Sequence, residues 1–162
     1  MKRIIGLIGL ILLLVPTLCL AKNFKDTPHI PVLEYHSVSA AEARWTRSVE
    51  NFKKDLLWLY NNNYYPVTAS FFAKMSFQIP KGKKPVVITF DDGNENQLRY
   101  LENGEIDPSC AIGIMDAFYN EHPDFGRAAT FYVNSVPFGK KTEVSKKIRY
   151  LIDTGREIGN HT

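Results

Sequence analysis

Residues 85–93 read Pro-Val-Val-Ile-Thr-Phe-Asp-Asp-Gly. Pro85 to Phe90 is a short, continuous run of apolar and β-forming residues, without the alternation that marks a strand with one wet face. Such a run fits a strand buried on both sides. A sheet acquires two covered faces when its strands run parallel, because the long crossovers between parallel strands lay helices over it. The run ends on Asp91, Asp92 and Gly93, so a buried strand would deliver two carboxylates to its C-terminal end.

The sequence on either side agrees with that reading. Ile30 to Val38 (IPVLEYHSV) is rich in β-formers and predicts a strand leading into a loop. Ser48 predicts the cap of a helix running to about Asn62, with Val49, Phe52, Leu56 and Leu59 at i, i+3, i+7 and i+10 on one face. Asn61 to Asn63 supply its left-handed stop, and Tyr64 to Thr68 predict a short extended piece. Phe71 to Phe77 is ambiguous, a helical turn being one reading, and residues 81–84 (KGKK) read as a solvated turn. Downstream, Asp107-Pro108 predicts a helix start, with Ala111, Met115, Phe118 and Tyr119 on its apolar side. Ala128 to Asn134 (AATFYVN) predicts a strand. Thr142 predicts the start of a helix with Val144, Ile148, Leu151 and Ile152 on one face, stopped by Gly155. Glu157 to His161 (EIGNH) begins another strand. Strands and helices alternate, so the fold class is α/β with a parallel sheet. Parallel α/β folds place their chemistry at the C-terminal ends of strands.

Asp91 and Asp92 would repel each other if both were ionised in a dry site, and a cation or a hydrogen-bond network relieves that repulsion. Neighbouring residues at a strand end point in different directions. One carboxylate can therefore ligate a metal while the other handles protons. Gly93 permits a sharp turn and leaves space for a ligand. The same Asp-Gly pair also suits a plain surface turn.

The resemblance of four segments to one family bears on that choice. Thr89 to Gly93 (TFDDG) is similar to the signature of the NodB-type polysaccharide deacetylases, carbohydrate esterase family 4. Pro31 to Val38 (PVLEYHSV) resembles the family's first-strand segment with its Tyr-His pair. Ala129 to Val133 (ATFYV) resembles the strand after the first motif, and Glu157 to Thr162 (EIGNHT) the opening of the second. The pieces fall in the family's order over about Ile30 to Thr162. The resemblance implies a partial NodB-type distorted (β/α) barrel over residues 30–162. It implies that Asp91 is the general base that activates a water, that Asp92 ligates a divalent metal, most often Zn²⁺, and that His161 is the first histidine ligand. It also implies an N-acetylated polysaccharide substrate, with hydrolysis at its amide bonds and not at peptide bonds. The second histidine of that motif would lie beyond Thr162, as would the family's later motifs with their arginine and leaving-group histidine. The expectation is that the chain as it stands binds metal poorly and turns over little. The alternative is a non-catalytic carbohydrate-binding or remnant protein of the same fold. The stretch around Leu98 to Gly126 is longer than in compact family members, and predicts an added loop and helix that packs on the barrel or shapes the rim of the site.

The remaining features set the surroundings. The chain has 162 residues, 44% of them hydrophobic and 12% aromatic, which suits one ordinary domain. The formal net charge of +3 includes Lys2 and Arg3, so no basic footprint for nucleic acid is left elsewhere. Residues 1–21 read as an export signal: Lys2 and Arg3 lead the apolar run Ile4 to Val15, Pro16 breaks it, and Cys19-Leu20-Ala21 offers a cleavage site after Ala21. Residues 22–29 then form a tether. The expectation is a secreted, periplasmic or cell-envelope protein with no stable membrane insertion after cleavage. Cys110 would be the only cysteine of the mature chain, and it reads as a small buried hydrophobe. His36 is a candidate for the site or for a structural hydrogen bond, Trp45 a candidate for stacking on sugar rings, and the Lys140-Lys141 and Lys146-Lys147 pairs read as solvated faces. Asp92, Asn94 and Asn96 match the early spacing of a calcium loop, but Gln97 stands where Gly is needed and Asn103 where Glu is needed.

Overall fold

The computed structural model describes residues 29–74 and 79–162. The export-signal reading, the tether up to residue 28, and residues 75–77 of the ambiguous 71–77 stretch lie outside the described residues. No helix among the described residues is long and apolar enough to cross a membrane.

The strands are β1 (Val32–Tyr35), β2 (Ser37–Ser39), β3 (Thr46–Ser48), β4 (Tyr64–Val67), β5 (Lys84–Phe90), β6 (Thr130–Val133) and β7 (Glu157–Asn160). The helices are α1 (Val49–Asn61), α2 (Ala69–Ala73), α3 (Ala111–Glu121) and α4 (Val144–Asp153). The main sheet is parallel throughout and has β5 at its centre. Val87 pairs with Val32 of β1 and with Val67 of β4, so these two strands take opposite edges of β5. β6 continues beyond β4 on the same edge, with Phe90 opposite Phe131, and β7 pairs outside β6. Parallel β2 and β3 make a separate small sheet. The mixed α/β architecture with a parallel sheet is the one the alternating pattern predicts.

Val86, Val87, Ile88 and Phe90 are almost wholly buried, as a strand covered on both faces requires. α1 covers one face with Phe52, Leu56 and Leu59. Phe52 meets Tyr35 and Phe90 edge-on at 5.0 and 5.9 Å, and Phe90 stacks on Phe131 at 4.7 Å. Ser48 caps α1 by accepting from Asn51 N, and Asn63 (φ 61°) takes the left-handed turn after it. α3 adds Ala111, Ile112, Ile114 and Met115 to the same core, so the long 98–126 stretch packs on the body of the domain.

Several elements differ from expectation, each for a visible reason. The Ile30–Val38 strand is broken at His36, where the chain leaves the main sheet for the small one. The helix expected from Asp107 starts at Ala111. Asp107 instead spends one carboxylate oxygen on the backbone N–H and hydroxyl of Ser109 and the other on Arg99, while Cys110 Sγ caps the helix by accepting from Gly113 N. The helix expected from Thr142 opens with a tighter turn at residues 141–143 and becomes α-helical at Val144. Its buried stripe runs through Lys147 and Leu151, while Ile152 is 57% exposed. Lys147 is therefore not on a solvated face; its exposure is 1%.

Replacing Phe52 by Ala removes the ring that joins α1 to β1 and β5. The expected loss is about 3–5 kcal/mol, against a change within about 0.5 kcal/mol for Leu57→Ala on the wet face of α1. The midpoints of urea unfolding measure both.

Candidate active site

The site lies at the C-terminal ends of β1, β5 and β7, with β6 between the last two. Tyr35 of β1 is level with Phe90 of β5, and Asp91 N donates to Tyr35 O at 2.8 Å. His36 and Asp91 thus leave the sheet as neighbours. On the other side His161 follows β7, its backbone N–H donating to Val133 O at 3.0 Å. Its Nε2 reaches to 3.5 Å from Asp91 Oδ2 and 3.8 Å from Asp92 Oδ1. Asp91, Asp92 and His161, read as site residues from the sequence, are thus brought together.

The turn that carries the carboxylates is held in an uncommon conformation. Asp92 has φ 72°, the left-handed region that Asp tolerates better than most residues. Gly93 follows at φ 68°, and a Cβ placed there would lie 2.7 Å from Pro137 Cβ. The loop after β6 presses on this turn: Phe138 N donates to Gly93 O at 2.6 Å. Lys147 secures that loop from behind, donating a hydrogen bond to Phe138 O at 2.6 Å and pairing with Glu143 at 2.9 Å.

The two carboxylates sit in different surroundings. The Asp91 side chain is 19% exposed and that of Asp92 39%. Burial first, and the Glu34 carboxylate second, push the Asp91 carboxyl above the usual range, while His161 and His36 pull it down. Glu34 lies on β1 and His36 is the first residue after it, two positions on. With Asp91 they place one donor atom each within 4.8 Å of one another, and His36 Nδ1 lies 3.7 Å from Glu34 Oε1.

The sequence gives no hint of one buried residue that organises this end of the sheet. Gln97 is fully buried, and its amide nitrogen donates to His36 O at 2.6 Å and to Asp91 O at 2.5 Å. Asn94 adds a bond to His36 O at 3.1 Å, and Asn96 Oδ1 accepts from Val38 N at 3.4 Å. These side chains, which partly match a calcium loop in sequence, tie two strand ends together. Carbonyls that leave a parallel sheet need such partners when buried, yet no residue pattern announces a bond between segments 61 residues apart.

One wall of the site is a braced loop. Arg47 forks onto Asp55 (2.8 and 2.6 Å) and reaches Glu42 (2.9 Å), and Tyr35 Oη donates to Asp55. Glu42 accepts from Ser48 N at 2.8 Å and from the Asn51 amide at 2.9 Å. The Ser48 N–H above all, then Asn51 and Arg47, hold the Glu42 carboxyl down at about 2.

No protein-family model matches this sequence, and no curated protein matches it significantly. Solved structures do. A polysaccharide deacetylase from Bacillus cereus superposes with a TM-score of 0.56 at 22% identity, covering 82% of this chain and 39% of that one. The chain has the NodB-type polysaccharide deacetylase fold. A de-N-acetylase from Aggregatibacter actinomycetemcomitans shares the fold with a TM-score of 0.52 at 22% identity, over 82% of this chain and 54% of that one. A Streptococcus pyogenes deacetylase solved in complex with acetate follows at 0.50 and 20%, over 82% and 56%. The chain thus spans between 39% and 56% of the length of these NodB-type structures.

Two outcomes test this geometry. Gly93→Ala forces the turn or the Pro137 loop to move and should lower stability by about 1–3 kcal/mol, read as a fall in the unfolding midpoint. Glu42 has its carboxyl lowered from an ordinary 4.5 to about 2, so its contribution is full above pH 4.5 and fades as pH falls toward 2. Glu42→Gln should flatten that acid limb of the melting temperature.

Proposed function

We propose that this chain belongs to an exported, metal-dependent hydrolase that removes N-acetyl groups from an N-acetylglucosamine-containing polysaccharide. The observation that carries the reading is the convergence of Asp91, Asp92 and His161 at the C-terminal ends of β5 and β7. The deacetylase fold is its background. Secretion rests on the N-terminal export pattern in the sequence.

The donor set suits a divalent cation. A carboxylate oxygen of Asp92 and an imidazole nitrogen of His161 stand 3.8 Å apart, close enough to share one ion, and mixed oxygen and nitrogen donors suit zinc. A metal held there would polarise the acetamide carbonyl and make an attacking water more acidic. Asp91, more buried than Asp92 and beside Glu34, is the better base and takes the proton as the water oxygen attacks the carbonyl carbon. His36 stands on the other side of Asp91 from His161. As the carbon–nitrogen bond breaks, the sugar nitrogen gains a proton that balances the one taken up by Asp91, which leaves acetate and a free amine.

The test combines zinc titration by calorimetry with acetate release from N-acetylglucosamine oligomers. It uses the 162-residue chain and any longer natural protein that contains it. Asp92→Ala should abolish zinc binding. Asp91→Asn should keep zinc and lose acetate release about a hundredfold or more. Zinc binding that ignores Asp92 but falls with Glu34→Gln would move the metal to the β1 cluster. Oligomer binding with no acetate released at saturating zinc would make the protein a non-catalytic glycan binder.

A further inference from the structure

Trp45 stands at a place where sequence preference and exposure both argue against a tryptophan. Ala43 and Thr46 exchange both backbone hydrogen bonds (2.9 and 3.1 Å), so Arg44 and Trp45 form the tip of a tight turn. Such tips favour Gly, Asn, Asp or Pro. Trp45 is 58% exposed, and the Arg44 guanidinium lies 5.1 Å from its ring centroid. A large ring held in water beside the candidate site offers an apolar face that a ligand can cover.

The tip of the turn is fixed in place. Trp45 O accepts from Ser37 N at 3.1 Å, which ties the tip to the residue after His36. The Glu42–Arg47–Asp55 brace fixes the base of the same loop. A platform held before its ligand arrives loses little freedom on binding. The platform also touches the chemistry. The His36 and Trp45 rings lie 4.9 Å apart, and a groove of about 220 Å³ runs from Glu34, Tyr35 and His36 along the loop to Trp45 and Arg47. Glu34 and His36 belong both to this groove and to the cluster around Asp91.

Resting on the deacetylase reading, we propose that Trp45 and Arg44 form a subsite for the sugar unit next to the one that reacts. The indole takes the C–H face of a pyranose ring, and Arg44, whose arm is exposed, swings to its hydroxyl or acetamido oxygens. The subsite selects a polymer over a single sugar, because only a chain of linked units can fill the site beside Asp91 and the groove together.

The protein has two tryptophans, so a Trp58→Phe background leaves Trp45 as the single indole reporter. In that full chain, indole fluorescence should respond to N-acetylglucosamine oligomers and not to the monosaccharide. Trp45→Ala should weaken oligomer binding, and raise KM, about tenfold, with kcat within about twofold. Trp45→Tyr should recover most of the loss. The thermal midpoint should stay put, because the side chain is exposed. Equal oligomer affinity for wild type and Trp45→Ala overturns the subsite. So does a loss confined to kcat, which would make Trp45 a positioning residue for His36. Acetate release with a Trp45-independent affinity removes the subsite and leaves the deacetylase reading intact. Trp45-dependent binding with no acetate release does the reverse.

Discussion

β5 is buried on both faces and hydrogen-bonded along both edges, and that constraint places almost everything else. A buried strand cannot leave its N–H and C=O groups without partners, so β1 must cover one edge, with β4 and then β6 along the other. Register follows from packing. Phe90 stacks on Phe131 and meets Phe52, so a slip by one residue would exchange the two faces of β5 and break these ring contacts. Once Tyr35, Phe90 and Phe131 are level, the chain has no choice about what emerges beyond them: His36, Asp91 and, one strand further out, His161. The chemistry is a by-product of the register. Gln97 completes the arrangement by answering the carbonyls that the end of the sheet leaves open.

The same placement separates two carboxylates that adjoin in sequence. Asp91 continues the strand direction into the crowded space between His36 and His161. Asp92 turns into the left-handed region and stays wetter. Burial thus raises the proton affinity of Asp91, and two identical side chains keep different company without any change of residue type. Glu34 reinforces the difference from β1, and the imidazoles on either side limit it. The result is a graded field across a few ångströms, the setting that the proposed division between proton handling and cation holding requires.

Much of this was legible in the residues. Continuous apolar character in Pro85 to Phe90 revealed a two-faced strand, and the Ser48 cap with its i, i+3, i+7 series located α1. Local signals of this kind survive folding because the sheet and the core reinforce them. What stayed hidden depends on contacts between distant segments. Asp107 looked like a helix cap until Arg99 and Ser109 claimed both its oxygens. Lys147 looked solvated, yet its stem crosses the core to reach Phe138 O, a partner that a charge pattern cannot reveal. Gln97 carries no signature at all; only the geometry of two strand ends gives it meaning. Asp91, Asp92 and His161 were visible as candidates through the strand-end pattern and the family resemblance, whereas the closeness of Glu34 and His36 to Asp91 depended on the level at which β1 meets β5.

The contact between Gly93 and Pro137 has an evolutionary corollary. The glycine is demanded by space and by backbone angle, whatever the adjoining side chains do. The carboxylates beside it meet no such steric demand, and under the proposed function they answer to reactivity alone. A lineage that abandoned catalysis would therefore keep the glycine long after the aspartates drifted. Among descendants of such a protein, an intact glycine testifies to ancestry and only the acidic pair testifies to a living enzyme.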